Sequence, residues 1–206
     1  MSTKWTIKST LFVLALGVLT ASTLALRTNA DEKSKTPPSP EEIAKAMAEA
    51  AKPGPEHAKL DRLAGKWTYT GKCWMMPDQP PVDMKGTVER KWILGGKFLE
   101  ERISGTGFGE GNFESFGLLG YDKGTKKYTW TFACNMGTSA SNGVGAEDAE
   151  GKLVYHATCF CPMEQKVITA RDEMRFEGKD KVILESFKIE NGKDVKMMEI
   201  VAVRQK

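Results

Sequence analysis

From Gly65 to Arg204 the sequence alternates between apolar and polar residues, and this period of two is typical of half-buried β-strands. Gly, Pro, Asn and Asp residues interrupt the alternation at short intervals, as tight turns require. The clearest alternation runs through Tyr128, Trp130, Phe132, Cys134 and Met136. The pattern predicts strands over residues 65–75, 82–92, 98–104, 113–121, 128–136, 139–147, 152–161, 167–176, 182–190 and 196–204.

Short strands joined by tight turns, with no helix between them, predict an antiparallel meander. Closing such a meander into a barrel removes its exposed edges. The predicted fold is therefore all-β, a single antiparallel up-and-down β-barrel of about ten strands. A barrel of this size has room for one small ligand inside.

Two short helices are predicted before the first strand. Ser39, Pro40 and Glu42 are typical of a helix start, and the helix is expected to end before Pro53. A second helix is predicted from Glu56 to Leu63. Its apolar residues Leu60 and Leu63 are three apart, directly before the barrel, and we expect this pair to plug the barrel's end.

Residues 1–30 have the pattern of a secretory signal peptide: lysines, an apolar run and small residues in that order. The rival interpretation is an uncleaved membrane anchor, but the apolar run from Leu11 to Leu26 is shorter than the ~20 residues of a stable span. We therefore expect a secreted or periplasmic protein with no stable membrane span after signal cleavage. Residues 31–55 are predicted to be a Pro-rich linker with a short helix, and residues 56–206 the barrel domain.

The charge pattern indicates no nucleic-acid partner. The formal net charge is only +3, and basic and acidic residues interleave along the whole chain. Nucleic-acid-binding surfaces instead cluster Lys and Arg on one face or along one element.

Two sets of residues resemble known families. Gly65-Lys66-Trp67, after a short helix and at the start of the first strand, resembles the Gly-x-Trp signature of calycin barrels, which include lipocalins and fatty-acid-binding proteins. This resemblance implies that a basic residue packs over Trp67, and Arg204 is the candidate.

The second resemblance covers most of residues 60–206 and is to the bacterial family called domain of unknown function 1579. The segments that carry it are residues 74–77, 92–99, 117–122 and 198–200. The family has no settled activity, so this resemblance implies a fold and no function. The chain departs from the family pattern around Cys159-Phe160-Cys161 and in its number of cysteines.

Aromatic residues and one arginine on the predicted inner faces are the candidate ligand-binding residues. They are Trp67, Tyr69, Arg90, Trp92, Tyr128 and Trp130. Inside a pocket, Arg90 would hold the anionic group of an amphipathic ligand. The alternatives are an internal pair with Glu185, or strand curvature that turns both charges outward, and we favour these over the ligand role.

The four cysteines, Cys73, Cys134, Cys159 and Cys161, permit disulfides in an exported protein, or free buried thiols. Thiolates near the methionines of segments 73–76 and 159–163 would also suit Cu(I). Methionines on apolar strand faces more often fill space in a core. We therefore predict no metal site and no cofactor.

Catalysis has little support in the sequence. Only two histidines occur, His57 and His156, and no Gly-x-Ser-x-Gly motif is present. His156 is the one candidate haem ligand in the barrel. The alternation of its strand places it on the opposite face from Cys159 and Cys161. We name no catalytic residue.

The predicted function is non-covalent binding of a small hydrophobic or amphipathic molecule. One alternative is an enzyme that acts on a lipophilic small molecule in the same pocket. Another is a structural envelope module with a filled core. A fold by itself does not decide among these functions.

Overall fold

The computed structural model describes residues 37–76, 79–107, 109, 111–161 and 163–206. The chain divides into two units, residues 1–39 and residues 40–206. Only residues 37–39 of the first unit are described, so the account below concerns the second. The predicted signal peptide lies outside the described residues. No helix in the described ranges is long and apolar enough to cross a membrane.

Two helices precede a closed antiparallel barrel, which confirms the predicted fold. The helices are α1 (Pro40–Ala50) and α2 (Pro55–Leu60), and a 3-10 turn (Asp61–Leu63) follows them. The strands are β1 (Gly65–Cys73), β2 (Val82–Ile93), β3 (Phe98–Thr106), β4 (Phe113–Asp122), β5 (Lys127–Cys134), β6 (Ser141–Glu147), β7 (Leu153–Cys161), β8 (Lys166–Glu177), β9 (Lys181–Glu190) and β10 (Lys193–Arg204). Each strand pairs with its neighbours in the chain, and β1 pairs with β10 to close the barrel.

Some predicted boundaries were wrong. The strand predicted over 128–136 ends at Cys134, because Asn135 binds across to the start of β4: its side-chain oxygen accepts from the Glu114 amide and its side-chain amide donates to the Asn112 carbonyl. Met136 therefore lies beyond the strand. The predicted second helix changes to a 3-10 turn at Asp61.

Leu60 and Leu63 plug one end of the barrel, as predicted. Both side chains are fully buried and pack in the core with Trp67. The indole Nε1 of Trp67 donates a hydrogen bond to the Leu63 carbonyl over 2.9 Å. The turn before β1 is thereby attached to the first side chain inside the barrel.

Arg204 lies over Trp67, as the calycin resemblance implied. Its guanidinium carbon is 4.1 Å from the centroid of the indole ring. The same guanidinium donates to the carbonyls of Arg62, Ala64 and Lys179. This one side chain therefore links the end of β10 to the plug and to the β8–β9 turn.

Candidate ligand-binding cavity

The barrel encloses a cavity of about 320 Å³, to which all ten strands contribute. Most of its wall is apolar, from side chains such as Ile103, Leu119, Phe132 and Ile200. The inner faces of β7 and β8 widen it with two small residues, Ala157 and Ala170, which lie opposite each other. The volume is at the lower end of the range for small-molecule sites.

Three of the six predicted site residues line this cavity: Tyr69, Arg90 and Trp130. The Trp130 ring packs beside Phe132 and Tyr155, with centroid separations of 5.4 and 6.5 Å. The structure therefore places all three residues in the wall of the same cavity. Their binding of a ligand stays a prediction.

The other three, Trp67, Trp92 and Tyr128, lie at the plugged end of the barrel. The Trp92 Nε1 donates to Asp61 over 2.9 Å, and the Tyr128 ring packs edge-on against Tyr121 at 5.0 Å. These contacts attach the helical lead-in and the strand ends to the barrel. None of the three side chains is part of the cavity wall.

The internal partner of Arg90 is Glu101, so the expected pair with Glu185 was wrong. Arg90 Nε and Nη2 each lie 2.6 Å from Glu101 Oε2, and both side chains are buried. The β2–β3 register places these two residues directly opposite each other. Glu185 instead forms a partly exposed ion pair with Lys196 at 2.7 Å.

The error concerning Glu185 has a physical cause in β9. Val182, Ile183 and Leu184 are all apolar, so the alternation does not say which face is inside. In the structure Val182, Leu184 and Ser186 face the cavity. Glu185 therefore points outward.

Asp172 is a cavity residue that we did not predict. It is 8% exposed and lies on the inner face of β8 between Ala170 and Met174. Burial raises the pKa of its carboxyl, and a hydrogen bond with Ser186 and the charge of His156 oppose that rise. The sequence does contain a signal for it, because Asp172 is the one charge among the alternating residues from Ile168 to Phe176, as Glu101 is among those from Leu99 to Gly105.

Three buried polar atoms at the cavity have no hydrogen-bond partner among the described residues: Tyr69 Oη, Tyr155 Oη and Arg90 Nη1. Burial raises the pKa of both phenols, so they are neutral hydrogen-bonding groups at physiological pH. They give an otherwise apolar wall a few specific contact points.

Glycines make the space for Tyr69. A Cβ atom on Gly105 would lie 2.2 Å from Tyr69 Oη, and one on Gly86 would lie 2.8 Å from Tyr69 Cε1. Both positions therefore exclude side chains, and the tyrosine ring occupies the space that Cβ atoms on β2 and β3 would take.

The cysteines are all unpaired in the structure. Cys134 and Cys159 line the cavity, whereas Cys73 lies outside it and donates to Met75 Sδ over 3.5 Å. Burial raises the pKa of Cys73 and Cys159, which keeps them as thiols and weakens them as nucleophiles or metal ligands. Within the described residues, no three His, Cys, Asp or Glu side chains group to hold a metal ion.

Neither histidine lies in the cavity. His156 is exposed on the outer face of β7. His57 is buried in α2, where its Nδ1 accepts a hydrogen bond from the Gly54 amide over 3.1 Å and its ring packs edge-on against Tyr121. Burial lowers the pKa of His57.

A larger groove, about 740 Å³, lies on the outside of the barrel across β2 to β5. Three of its charged side chains form ion pairs on the surface: Glu89 pairs with Lys91 at 3.0 Å and with Lys66 at 3.8 Å, and Arg102 pairs with Glu100 at 2.8 Å. Because this groove is open to water, it offers less desolvation to a small ligand than the interior cavity.

Comparison with known proteins gives a family and a fold. A family model described as "Protein of unknown function (DUF1579)" matches residues 52–204. The crystal structure of Rv2717c from M. tuberculosis is similar, with a TM-score of 0.55 and 17% identity over 75% of this chain and 100% of that one. At this identity the similarity shows the fold alone.

The structure of the S-type phycobiliprotein lyase CPES from Guillardia theta has a TM-score of 0.47 and 12% identity, over 82% of this chain and 99% of that one. This similarity is too low for an argument about function. A search of curated proteins finds no significant match.

Proposed function

This chain belongs to the DUF1579 family, a family of unknown function with a calycin-like barrel, and we propose that it binds a small hydrophobic or amphipathic molecule non-covalently inside the barrel. The observation that carries the proposal is the interior cavity of about 320 Å³, mostly apolar, with a few buried polar groups. Apolar walls with a few converging polar groups are the usual composition of small-molecule sites.

The cavity itself favours binding over a purely structural role. Side chains normally fill protein interiors to high density, and an unfilled apolar space lowers stability. A structural barrel with a filled core would have larger residues where Ala157 and Ala170 lie. Their small size keeps the space open.

The groups in the cavity also favour binding over catalysis. Arg90 and Glu101 neutralise each other, while the tyrosines and Cys159 are held neutral by burial. No histidine lines the wall to act as a base with a nucleophile. Asp172 is the one cavity carboxyl without such an ion pair among the described residues.

We place this binding function outside the cytoplasm, because residues 1–30 have the pattern of a secretory signal peptide. The N-terminal sequence of the protein isolated from its native cells tests this. A mature N-terminus near residue 31 supports export with cleavage, and an intact Met1 contradicts it.

Native mass spectrometry tests the binding function. Protein purified from its native envelope fraction is expected to carry excess mass that disappears on denaturation. The variant Ala157→Phe fills the cavity and is expected to lose that excess mass. The matched control is Thr158→Phe, which adds the same ring on the outer face of β7 and is expected to keep it.

The neutral apolar dye N-phenyl-1-naphthylamine gives a second measurement. We expect its fluorescence to rise with the unmodified protein and with Thr158→Phe, and to stay low with Ala157→Phe. No excess mass together with no dye binding by the unmodified protein would contradict the proposed function.

A further inference from the structure

The cavity contains a buried carboxyl group, Asp172, that forms no ion pair with any Lys, Arg or His among the described residues. We propose that the polar end of the ligand is a protonated amine, bound at Asp172. This inference rests on the proposed function and names the chemical class of its ligand.

Three inward-facing polar residues lie side by side on neighbouring strands of the cavity wall. Asp172 on β8 lies directly opposite Tyr155 on β7 and Ser186 on β9. All three are at least nine-tenths buried and line the cavity. Ser186 hydrogen-bonds the carboxyl, and Tyr155 Oη has no partner among the described residues. Asp172 forms no salt bridge with any Lys, Arg or His of the described chain.

The nearest Arg and Lys side chains are already paired with carboxylates. Arg90 is held by Glu101. Lys188, two residues beyond Ser186 on β9, lies 2.7 Å from Glu164 and 3.2 Å from Glu190. Each of these cations therefore has at least one carboxylate of its own. His156, exposed on the outer face of β7, acts on Asp172 only through its charge and forms no ion pair with it among the described residues.

The net charge of the cavity follows from this pairing. Arg90 and Glu101 sum to zero, so an ionised Asp172 leaves one negative charge and a protonated Asp172 leaves none. Neither state is positive. A carboxylate or phosphate ligand would therefore enter without a counter-ion and would face Glu101 and Asp172.

An ammonium group fits the same site. A buried carboxylate without a cation is costly, which is why burial raises the pKa of Asp172. An ammonium group within hydrogen-bond distance removes that cost, since it supplies both the opposite charge and N–H donors.

Small residues line the cavity beside Asp172. Ala157 and Ala170 are opposite each other, one inward position farther from the plugged end than Tyr155 and Asp172. An apolar chain can follow the wall toward Ile200 and Ile103 while the amine stays at the carboxyl. The geometry therefore suits a small amphipathic amine.

The test compares three ligands with one chain length on the purified protein at neutral pH: decylamine, decanol and decanoate. Displacement of N-phenyl-1-naphthylamine gives the dissociation constants. We expect decylamine to bind about tenfold or more tightly than decanol, because the buried charge pair contributes more than a neutral hydrogen bond. Decanoate is expected to bind least tightly.

The variant Asp172→Asn keeps the shape and removes the charge. We expect it to weaken decylamine binding about tenfold or more while decanol changes by less than about threefold. The matched control is Glu173→Gln, one residue along on the outer face of β8, which should leave all three constants unchanged. The comparison of the three ligands on the unmodified protein tests the inference even if the variant does not fold.

The outcomes separate the two proposals. If decanoate binds best, or if Asp172→Asn leaves decylamine binding unchanged, the amine inference is overturned and the proposed function stands. If neither the dye nor any of the three ligands binds, the proposed function itself is contradicted.

Discussion

Arg90 and Glu101 lie directly opposite each other on β2 and β3, and their side chains form an ion pair at 2.6 Å inside the barrel. Less than one-tenth of the surface of each side chain is exposed. Water therefore contributes little to stabilising either charge. Each charge depends on the other, and removing one leaves a buried charge uncompensated.

We expect Glu101→Gln to lower the free energy of unfolding by about 3–5 kcal/mol, because it leaves the Arg90 guanidinium buried without a counter-ion. Urea unfolding followed by tryptophan fluorescence measures this change. The control is Glu100→Gln, whose ion pair with the exposed Arg102 is expected to contribute at most about 1 kcal/mol. Equal losses in both variants would contradict the structural importance of the buried pair.

Arg204 is expected to stabilise the plugged end through Trp67 and three backbone carbonyls. Arg204→Ala removes a cation–π contact and several charge-assisted hydrogen bonds, and we expect it to lower the free energy of unfolding by about 2–4 kcal/mol. Thermal unfolding by circular dichroism measures the loss. Arg204→Lys should recover only part of it, since an ammonium cannot reach three carbonyls in the same fixed geometry. Full recovery by lysine would show that charge alone matters.

Gly65 has a backbone conformation and a contact that both disfavour a side chain. Its φ is +107°, and a Cβ atom there would lie 3.0 Å from Arg204 Nη1. We expect Gly65→Ala to lower the free energy of unfolding by about 2–3 kcal/mol. The control Gly178→Ala has φ +67° and no atom within 4 Å of its Cβ, so it should cost only about 1 kcal/mol. A control as destabilising as Gly65→Ala would show that the contact with Arg204 is unimportant.

We expect His57 to make the free energy of unfolding depend on pH. Burial lowers its pKa in the folded protein, and its Nδ1 is occupied as a hydrogen-bond acceptor from Gly54. Below about pH 6.5 the unfolded chain therefore binds more protons at this position than the folded chain, and the contribution to stability falls as pH decreases. We expect the difference in unfolding free energy between about pH 7.5 and about pH 5.5 to shrink in His57→Gln.

The matched control for this pH dependence is His156→Gln, on the exposed outer face of β7. It removes a histidine without removing a buried acceptor. Urea unfolding at both pH values should give the same difference as the unmodified protein. If His156→Gln shrinks the difference and His57→Gln does not, the assignment to His57 is wrong.

The strand positions and the barrel closure could be predicted because their causes are local. Alternation decides which residues share a face, and Gly, Asn and Asp residues decide where the chain turns. The plug residues Leu60 and Leu63 follow from helical spacing next to the first strand. The position of Arg204 over Trp67 followed from the Gly-x-Trp resemblance, and the structure confirms it.

The candidate site was only partly predictable. Alternation placed Arg90 inside correctly, but its partner depends on which strand lies beside β2 and in which register. Consecutive apolar residues in β9 concealed that Ser186 points into the barrel. For the same reason Glu185 was wrongly expected on the inner face. Aromatic residues that appeared equivalent in the sequence differ in depth, so Trp67 lies at the plug and Trp130 at the cavity.

The sequence alone thus determined a plugged, closed barrel, because hydrophobic periodicity and turn chemistry act between residues that are near each other in the chain. Only the tertiary structure decided that a cavity remains inside, that Glu101 neutralises Arg90, and that Asp172 forms no ion pair among the described residues. These properties depend on side chains from strands far apart in the chain, and cross-strand register and packing bring those side chains together.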